Sequence, residues 1–515
     1  MRKVSIDVEM SDQKKMILNI ICSLFSFGLS LVISFFVTPY IVINLGAEAS
    51  GYNTLALNFI SYATIIQVAL NSMGSRFISL SYNRGEQKKA QKFYNAMFFG
   101  DAFLCVIFTL IAIYIVWNVE HLINISPELV LDVKILFSLL FATFIVSTFT
   151  SVLLSATFIK NKIYLEKIKD VIGYIIKIAI LSVCFGKFSP KIYYVALGGF
   201  IATIMTAWIN LYYKRRLLDD VKVSPKLFEF KYVKMIVSSG IWNSISQSGE
   251  LLFSSFDLLI TNIMISPLEM GVLSISKTVP NLISGLSASL QSVFTPALVS
   301  KYAKEGSRAV GEEVVRNGRI MMSVVTIPLC FLIVYGGDFY KLWQPTQDAI
   351  RLQILSVLAC AAMAVTCCAM GVYNVFMVVN KVRQLSIATL VTGIVSLLTT
   401  YILLLTTDLG IYAVAGVSSV MYMLRSLVFG MPKAAEYLGL KKTTFYASIP
   451  LNILVVILNC LIGYAIRSQL PHGTWFTLIA SGFLVSVVFA FVNIIIILDK
   501  DEKKKLVKRI VKRRA

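Results

Sequence analysis

The chain has 515 residues, 57% of them hydrophobic and 15% charged, and its mean hydropathy of +0.78 excludes an ordinary soluble domain and a disordered chain alike. Its formal net charge is +21, from 48 Lys and Arg against 27 Asp and Glu, but the surplus sits in short segments between apolar runs rather than on one soluble face, so no nucleic-acid partner is expected. All eight cysteines lie within apolar runs, which excludes a disulfide framework and a zinc spacing, and no metal or cofactor is expected.

A helix needs about 20 apolar residues, rising 1.5 Å each, to cross hydrocarbon, and about fourteen such runs follow one another. They lie near 16–43, 52–74, 94–117, 134–157, 170–186, 192–213, 236–262, 272–298, 319–336, 350–375, 385–406, 411–431, 447–467 and 475–498. The expected fold is an all-α polytopic membrane protein of about 14 transmembrane helices. Its expected parts are an N-lobe of six spans (1–213), a basic cytoplasmic linker (214–234), a C-lobe of six spans (235–442), two further spans (443–498) and a basic tail (499–515).

Arg2, Lys3, Lys14 and Lys15 precede the first run, which is too long for a signal-peptide core and lacks a small-residue cleavage site, so it is expected to stay as an anchor. With the N-terminus inside, only Lys134, Lys187, Lys191, Lys341, Arg351 and Arg467 fall in external loops, and Lys177, Lys277 and Arg425 fall inside spans. Every other Lys and Arg is then internal, which places both termini in the cytoplasm.

In the first span Asn19, Ser23, Ser26, Ser30 and Ser34 form one helical stripe, and in the second Thr64, Gln67, Asn71 and Ser75 form another that ends beside Arg76. Small polar residues at this spacing commonly pack helices together. Arg76 is close enough to the inner surface to snorkel. A weak internal echo then appears at an offset of 220 residues: Gly51 matches Gly271, and Tyr82-Asn83-Arg84 matches Tyr302-Ala303-Lys304. Repeats running in the same direction would be related by a pseudo-twofold axis along the membrane normal. In the fifth span Lys177 lies about 10 Å from the inner end, within snorkelling reach. The linker, with Lys214, Arg215, Arg216, Asp219, Asp220 and Pro225, reads first as a topology signal.

The seventh span carries Asn243, Gln247, Glu250, Ser254, Asp257 and Thr261 at spacings of 4, 3, 4, 3 and 4, which keeps them within about an 80° stripe of a helix. The eighth repeats the pattern with Lys277, Asn281, Ser284, Gln291 and Thr295. A charge at the bilayer centre costs about 2.5–3.5 kcal/mol on insertion scales, so two such faces are expected to line a wet wall. Asp257 and Lys277 each lie ten residues from Pro267 in the turn between the spans. Equal distance from the turn of an antiparallel hairpin means equal depth, and the two are expected to pair. Glu250 lies deeper, opposite Ser284, with no matching cation in the hairpin. Structural ion pairing is the alternative to a gate or an ion-sensitive group.

Arg425, in the twelfth span, lies about 9 Å from its inner end and can snorkel or meet substrate. Pro39, Pro280, Pro296, Pro328 and Pro450 fall within or at the ends of spans, where they bend helices. The tail holds nine basic residues from Lys500 onward, with Leu506, Val507, Ile510 and Val511 on one helical side, the pattern of a basic helix on anionic lipid. No phosphate-binding glycine loop occurs, and His121 and His472 stand far apart in external loops. With external connections of at most about 16 residues, a membrane polymerase or glycosyltransferase has nowhere to hold its acceptor. No catalytic residues are expected.

The stretches Thr38-Pro39-Tyr40-Ile41-Val42 and Leu45-Gly46-Ala47-Glu48-Ala49-Ser50-Gly51-Tyr52 resemble the first external turn of the polysaccharide-exporter (Wzx-type) flippases, of the multidrug, oligosaccharidyl-lipid and polysaccharide exporter superfamily. Residues 79–87, Phe256-Asp257-Leu258-Leu259-Ile260 and Phe339-Tyr340-Lys341-Leu342-Trp343 add to the likeness. The resemblance implies two six-helix bundles around a central cavity that opens alternately to each side of the bacterial cytoplasmic membrane. The cargo it implies is an undecaprenyl-diphosphate-linked oligosaccharide, whose polyprenyl tail stays among the membrane lipids. Related murein-precursor flippases gather arginines in the N-lobe cavity, near which this chain has only Arg76, which argues against that substrate. The candidate substrate or cavity-lining residues are Lys277, Glu250, Asp257, Asn243, Gln247, Asn281, Gln291, Arg76, Lys177 and Arg425. The alternative is an antiporter of the same fold for small molecules or drugs, coupled to a cation through Glu250 and Asp257.

Overall fold

Apolar runs in lipid must satisfy their backbone groups internally, and helices do so segment by segment. The computed structural model describes residues 12–497 apart from 161, 163 and 472, with side chains from residue 22 onward except 23, 24, 27, 292, 293, 296, 297 and 303. The basic tail, Asn19, Ser23 and His472 therefore lie outside what is described. The described residues form helices and connecting turns, with no strand among them. Nine of the helices are long and apolar enough to cross a membrane. Ala349–Cys360 with Met363–Val378, bent by 40°, makes a tenth if counted as one span. The charge-bearing Tyr164–Lys187 and Phe230–Ser254 are not among these.

Several expected spans share one element. The first two lie in Asp12–Asn83, broken at Gly46 (φ 86°, ψ 167°), and the eighth and ninth in Thr278–Trp343, broken at Gly306 (φ 81°, ψ −172°). Only glycine holds such backbone angles without strain. Gly85 (φ 77°) turns the chain between Asn83 and Gln87 much as Gly306 does later, at an offset of about 220 residues.

The residues divide into two compact units between Gln247 and Ser248, inside Phe230–Ser254 rather than at the basic linker. In the first unit Leu70, Ile78, Phe93, Met97, Val152 and Ile236 share a core with Leu218 and Val221 of the linker. Asn95 clamps that linker: its Nδ2 donates to Lys222 O at 3.1 Å and its Oδ1 accepts from Ser224 N at 2.7 Å. Lys92 adds an ion pair to Glu229 at 2.6 Å. The linker is thus docked onto the first unit. The start of Phe230–Ser254 packs on Asp12–Asn83, with Ser244 Oγ donating to Ile65 O at 2.7 Å.

In the second unit the last two helices, Ile449–Arg467 and Trp475–Ile497, are bound by asparagines. Asn459 Nδ2 donates to Asn493 Oδ1 at 2.9 Å, and Asn493 Nδ2 donates to Ser323 O and Thr326 Oγ1, each at 2.9 Å. Lipid competes poorly for such groups, so buried amides act as interhelical fasteners. The eight cysteines are free thiols.

Candidate functional site

Both helices of the 236–298 hairpin are interrupted at the ion pair, where the sequence suggests two continuous spans. Phe230–Ser254 gives way to Phe256–Met264 at Ser255, and Pro267–Ser276 gives way to Thr278–Trp343 at Lys277. Pro280 explains the second break, because it has no N–H for the carbonyl four residues earlier. That carbonyl, Ser276 O, accepts instead from Ser356 Oγ at 2.7 Å and Tyr340 OH at 3.4 Å.

Lys277 Nζ donates to Asp257 Oδ2, the pairing expected from their equal distance to the turn. It also donates at 3.1 Å to Ser254 O, at the end of the interrupted helix. Ser418 Oγ approaches both carboxylate oxygens, at 3.2 and 3.1 Å. Asp257 is therefore buried but held by an ammonium and a hydroxyl, as a charge in a low-dielectric setting must be.

Glu250, which has no matching cation in the hairpin, meets one from a distant element. Arg425 Nη1 donates to Glu250 Oε1 at 2.8 Å and to Thr389 Oγ1 at 2.9 Å. The guanidinium does not snorkel. It is buried among the rings of Phe253, Tyr373 and Tyr422, with its carbon 5.1, 5.3 and 4.9 Å from their centroids, an arrangement in which the ring faces attract the cation. Arg425 begins a π-helical turn, Arg425–Gly430, within an otherwise α-helical stretch; such turns widen the helix and re-aim its side chains. Beside Glu250, Gly249 lets two helices touch: a Cβ there would lie 2.6 Å from Leu390 N and Thr389 C.

The other candidates do not gather into this cluster. Asn281 and Arg76 are exposed. Asn243 and Gln247 are half-buried and belong to the first unit. Gln291 is half-buried, with its carbonyl accepting from Asn374 Nδ2 at 3.4 Å. Lys177 is half-buried, has no ion pair among the described residues, and runs its stem past Gly198, where a Cβ would meet Lys177 Cγ at 3.3 Å.

Sequence reasoning missed Thr389 and Ser418, which nothing but position distinguishes from other membrane hydroxyls. It also missed Asp101, a fully buried acid inside an apolar run, although a lone acid there was a readable signal. The turn motif around Gly46 has a structural explanation. Tyr52 OH contacts Glu48 Oε1 at 2.6 Å and donates to Asn124 O at 2.9 Å, while Ser126 N donates to Glu48 Oε1 at 3.3 Å. Those residues fasten the turn to the 118–127 loop.

Comparisons with known proteins agree with this architecture. Residues 16–303 match the family described as polysaccharide biosynthesis protein. The uncharacterized membrane protein EpsK of Bacillus subtilis (strain 168) is 25% identical over 498 residues, covering 96% of this chain and 98% of that protein. Among solved structures, the lipid II flippase MurJ in an inward closed conformation aligns with a TM-score of 0.66 at 14% identity, over 93% of this chain and 99% of its own. An inward-facing multidrug resistance MATE family transporter of the MOP superfamily aligns with a TM-score of 0.61 at 14% identity, over 82% of this chain and 98% of its own. At these identities the structural likeness establishes the fold.

Proposed function

The chain belongs to the polysaccharide biosynthesis protein family, and from that premise we propose that it is an alternating-access flippase. Its substrate is an undecaprenyl-diphosphate-linked oligosaccharide, moved from the inner to the outer leaflet of the bacterial cytoplasmic membrane for surface polysaccharide assembly. Fold and family are those of membrane transport proteins rather than enzymes.

The observation that carries this reading is two ion pairs, the buried Asp257–Lys277 and the half-exposed Glu250–Arg425, with Asp257 and Lys277 at helix interruptions and Arg425 at the start of a π-helical turn. Interrupted helices are how transporters of many folds present charge and free backbone groups within the membrane. A diphosphate headgroup competes with Asp257 for the Lys277 ammonium by charge-assisted hydrogen bonds, while the polyprenyl chain remains in lipid. Moving Lys277 from carboxylate to diphosphate frees Asp257 and Ser254 O, which couples occupancy to the state of two broken helices.

Transport of a fluorescent lipid-linked oligosaccharide into reconstituted vesicles tests the proposal directly. The expected result is protein-dependent loss of inner-leaflet label, abolished by Lys277→Ala; equal rates with and without protein reject it. The second reading, a cation-coupled antiporter for small molecules, draws on the Asp257 carboxylate and its Ser418 partner. It predicts altered drug tolerance with normal surface glycan in a deletion strain, whereas the flippase predicts glycan loss with accumulated lipid-linked units.

A further inference from the structure

The docked linker lies at a depth that its register on Gln87–Trp117 sets. Asn95, which holds Lys222 O and Ser224 N, stands at the start of the apolar run of that helix. Phe99, whose ring meets that of Phe228 edge-on at 5.5 Å, lies about 6 Å further in at 1.5 Å per residue. Residues 222–228 therefore pass from the headgroup region to the edge of the hydrocarbon. There Val223, Phe228 and Phe230 are exposed on the protein surface, Phe230 to 70%, and so are Lys222, Lys226, Lys231 and Lys234. Among the described residues none of these four ammonium groups is in an ion pair. The nearby acids are engaged elsewhere: Glu229 pairs with Lys92 at 2.6 Å, and Asp219 and Asp220 face Lys214.

We propose that residues 222–235 form a binding surface for anionic phospholipid, with lipid phosphates on the four lysines and the rings of Phe228 and Phe230 among the upper acyl chains. Water suits only half of this surface: it solvates the lysines but leaves large apolar side chains hydrated. An anionic bilayer satisfies both halves, because phosphate meets the ammonium groups while their stems and the rings lie against hydrocarbon. Lys231 and Lys234, three residues apart on the helix that opens at Phe230, are placed to meet one headgroup. Depth favours lipid over an acidic soluble protein, which would have to reach Phe228 below the headgroups. The surface is also fixed before any lipid arrives: Leu218 and Val221 are anchored in the core of the first unit, Asn95 clamps the backbone, and Pro225–Leu227 forms a 3₁₀ turn. Binding therefore costs little ordering of the chain.

The inference goes beyond the flippase reading and does not rest on it, since lipid contact is measured without any transported substrate. The full chain is placed in nanodiscs that carry trace amounts of photoactivatable phosphatidylglycerol or photoactivatable phosphatidylcholine, and the labelled positions are mapped by mass spectrometry. Phosphatidylglycerol is expected to label residues 222–235 in excess over phosphatidylcholine, and the excess to shrink as salt rises. Lys226→Gln and Lys231→Gln each cut it about fivefold, and Lys222→Gln, Lys226→Gln, Lys231→Gln and Lys234→Gln combined remove it. Lys88→Gln, at an exposed lysine near the start of Gln87–Trp117, leaves it unchanged. Three results overturn the proposal: equal labelling by the two lipids, an excess that survives in both single variants, or lysines blocked from acetylation in native membranes but open in phosphatidylglycerol nanodiscs, which assigns the surface to an acidic protein. The single variants decide the matter even if the combined variant fails to fold.

Discussion

Arg425 and Glu250 are paired but unequally buried, with side chains 3% and 50% exposed. Removing Glu250 strands a guanidinium among three aromatic rings, whereas removing Arg425 leaves an acid whose side chain is already half uncovered by protein. Glu250→Gln is therefore expected to cost about 3 kcal/mol and Arg425→Met about 1 kcal/mol, read from thermal unfolding in detergent. No loss in Glu250→Gln would show that the ring cage alone stabilises the cation. Asp257 and Lys277 are both largely buried, 5% and 14% exposed, so either single replacement leaves a charge alone. Lys277→Met is expected to cost about 3 kcal/mol, and combining it with Asp257→Asn to recover most of that loss. If the pair is a gate the double variant folds without transporting. Full transport by the double variant reduces the pair to architecture.

Helix crossings in the second unit depend on absent side chains. Gly249 and Gly393 face each other, and a Cβ on Gly393 would lie 2.8 Å from Gly249 O. Backbone cannot yield as a side chain does, so Gly249→Ala is expected to destabilise by about 1–3 kcal/mol, with the loss appearing as a lower melting temperature. The last two helices rest instead on polar fasteners. Asn493→Leu removes three hydrogen bonds worth about 0.6 kcal/mol each in membranes. Proteolysis between Arg467 and Trp475 is expected to accelerate in that variant, while a surface change such as Ser468→Ala leaves it unaltered. Element boundaries were partly legible. Pro280 announced the break before Thr278 through its missing N–H, but nothing at Ser255 marks the break there: neither glycine nor proline occurs between residues 250 and 266.

At the scale of the whole molecule, the distribution of Lys and Arg predicts an orientation that labelling can check. With both termini cytoplasmic, a cysteine placed at Glu128 is expected to react with a membrane-impermeant thiol reagent on intact cells, and one at Asp219 only after permeabilisation; the reverse pattern inverts the topology. The apolar runs by themselves determined a helical membrane protein, because no other open structure satisfies its backbone in lipid. They also determined the Asp257–Lys277 pair, because a hairpin converts chain distance into depth. Tertiary structure alone decided that Arg425 closes on Glu250, 175 residues away, and that Ser151 reaches Asp101 from another element, 50 residues on. It also decided that the basic linker docks through Asn95. Periodicity reports which face of a helix is polar, but the partner of that face is chosen by helix packing, to which residues far apart in the chain contribute at once.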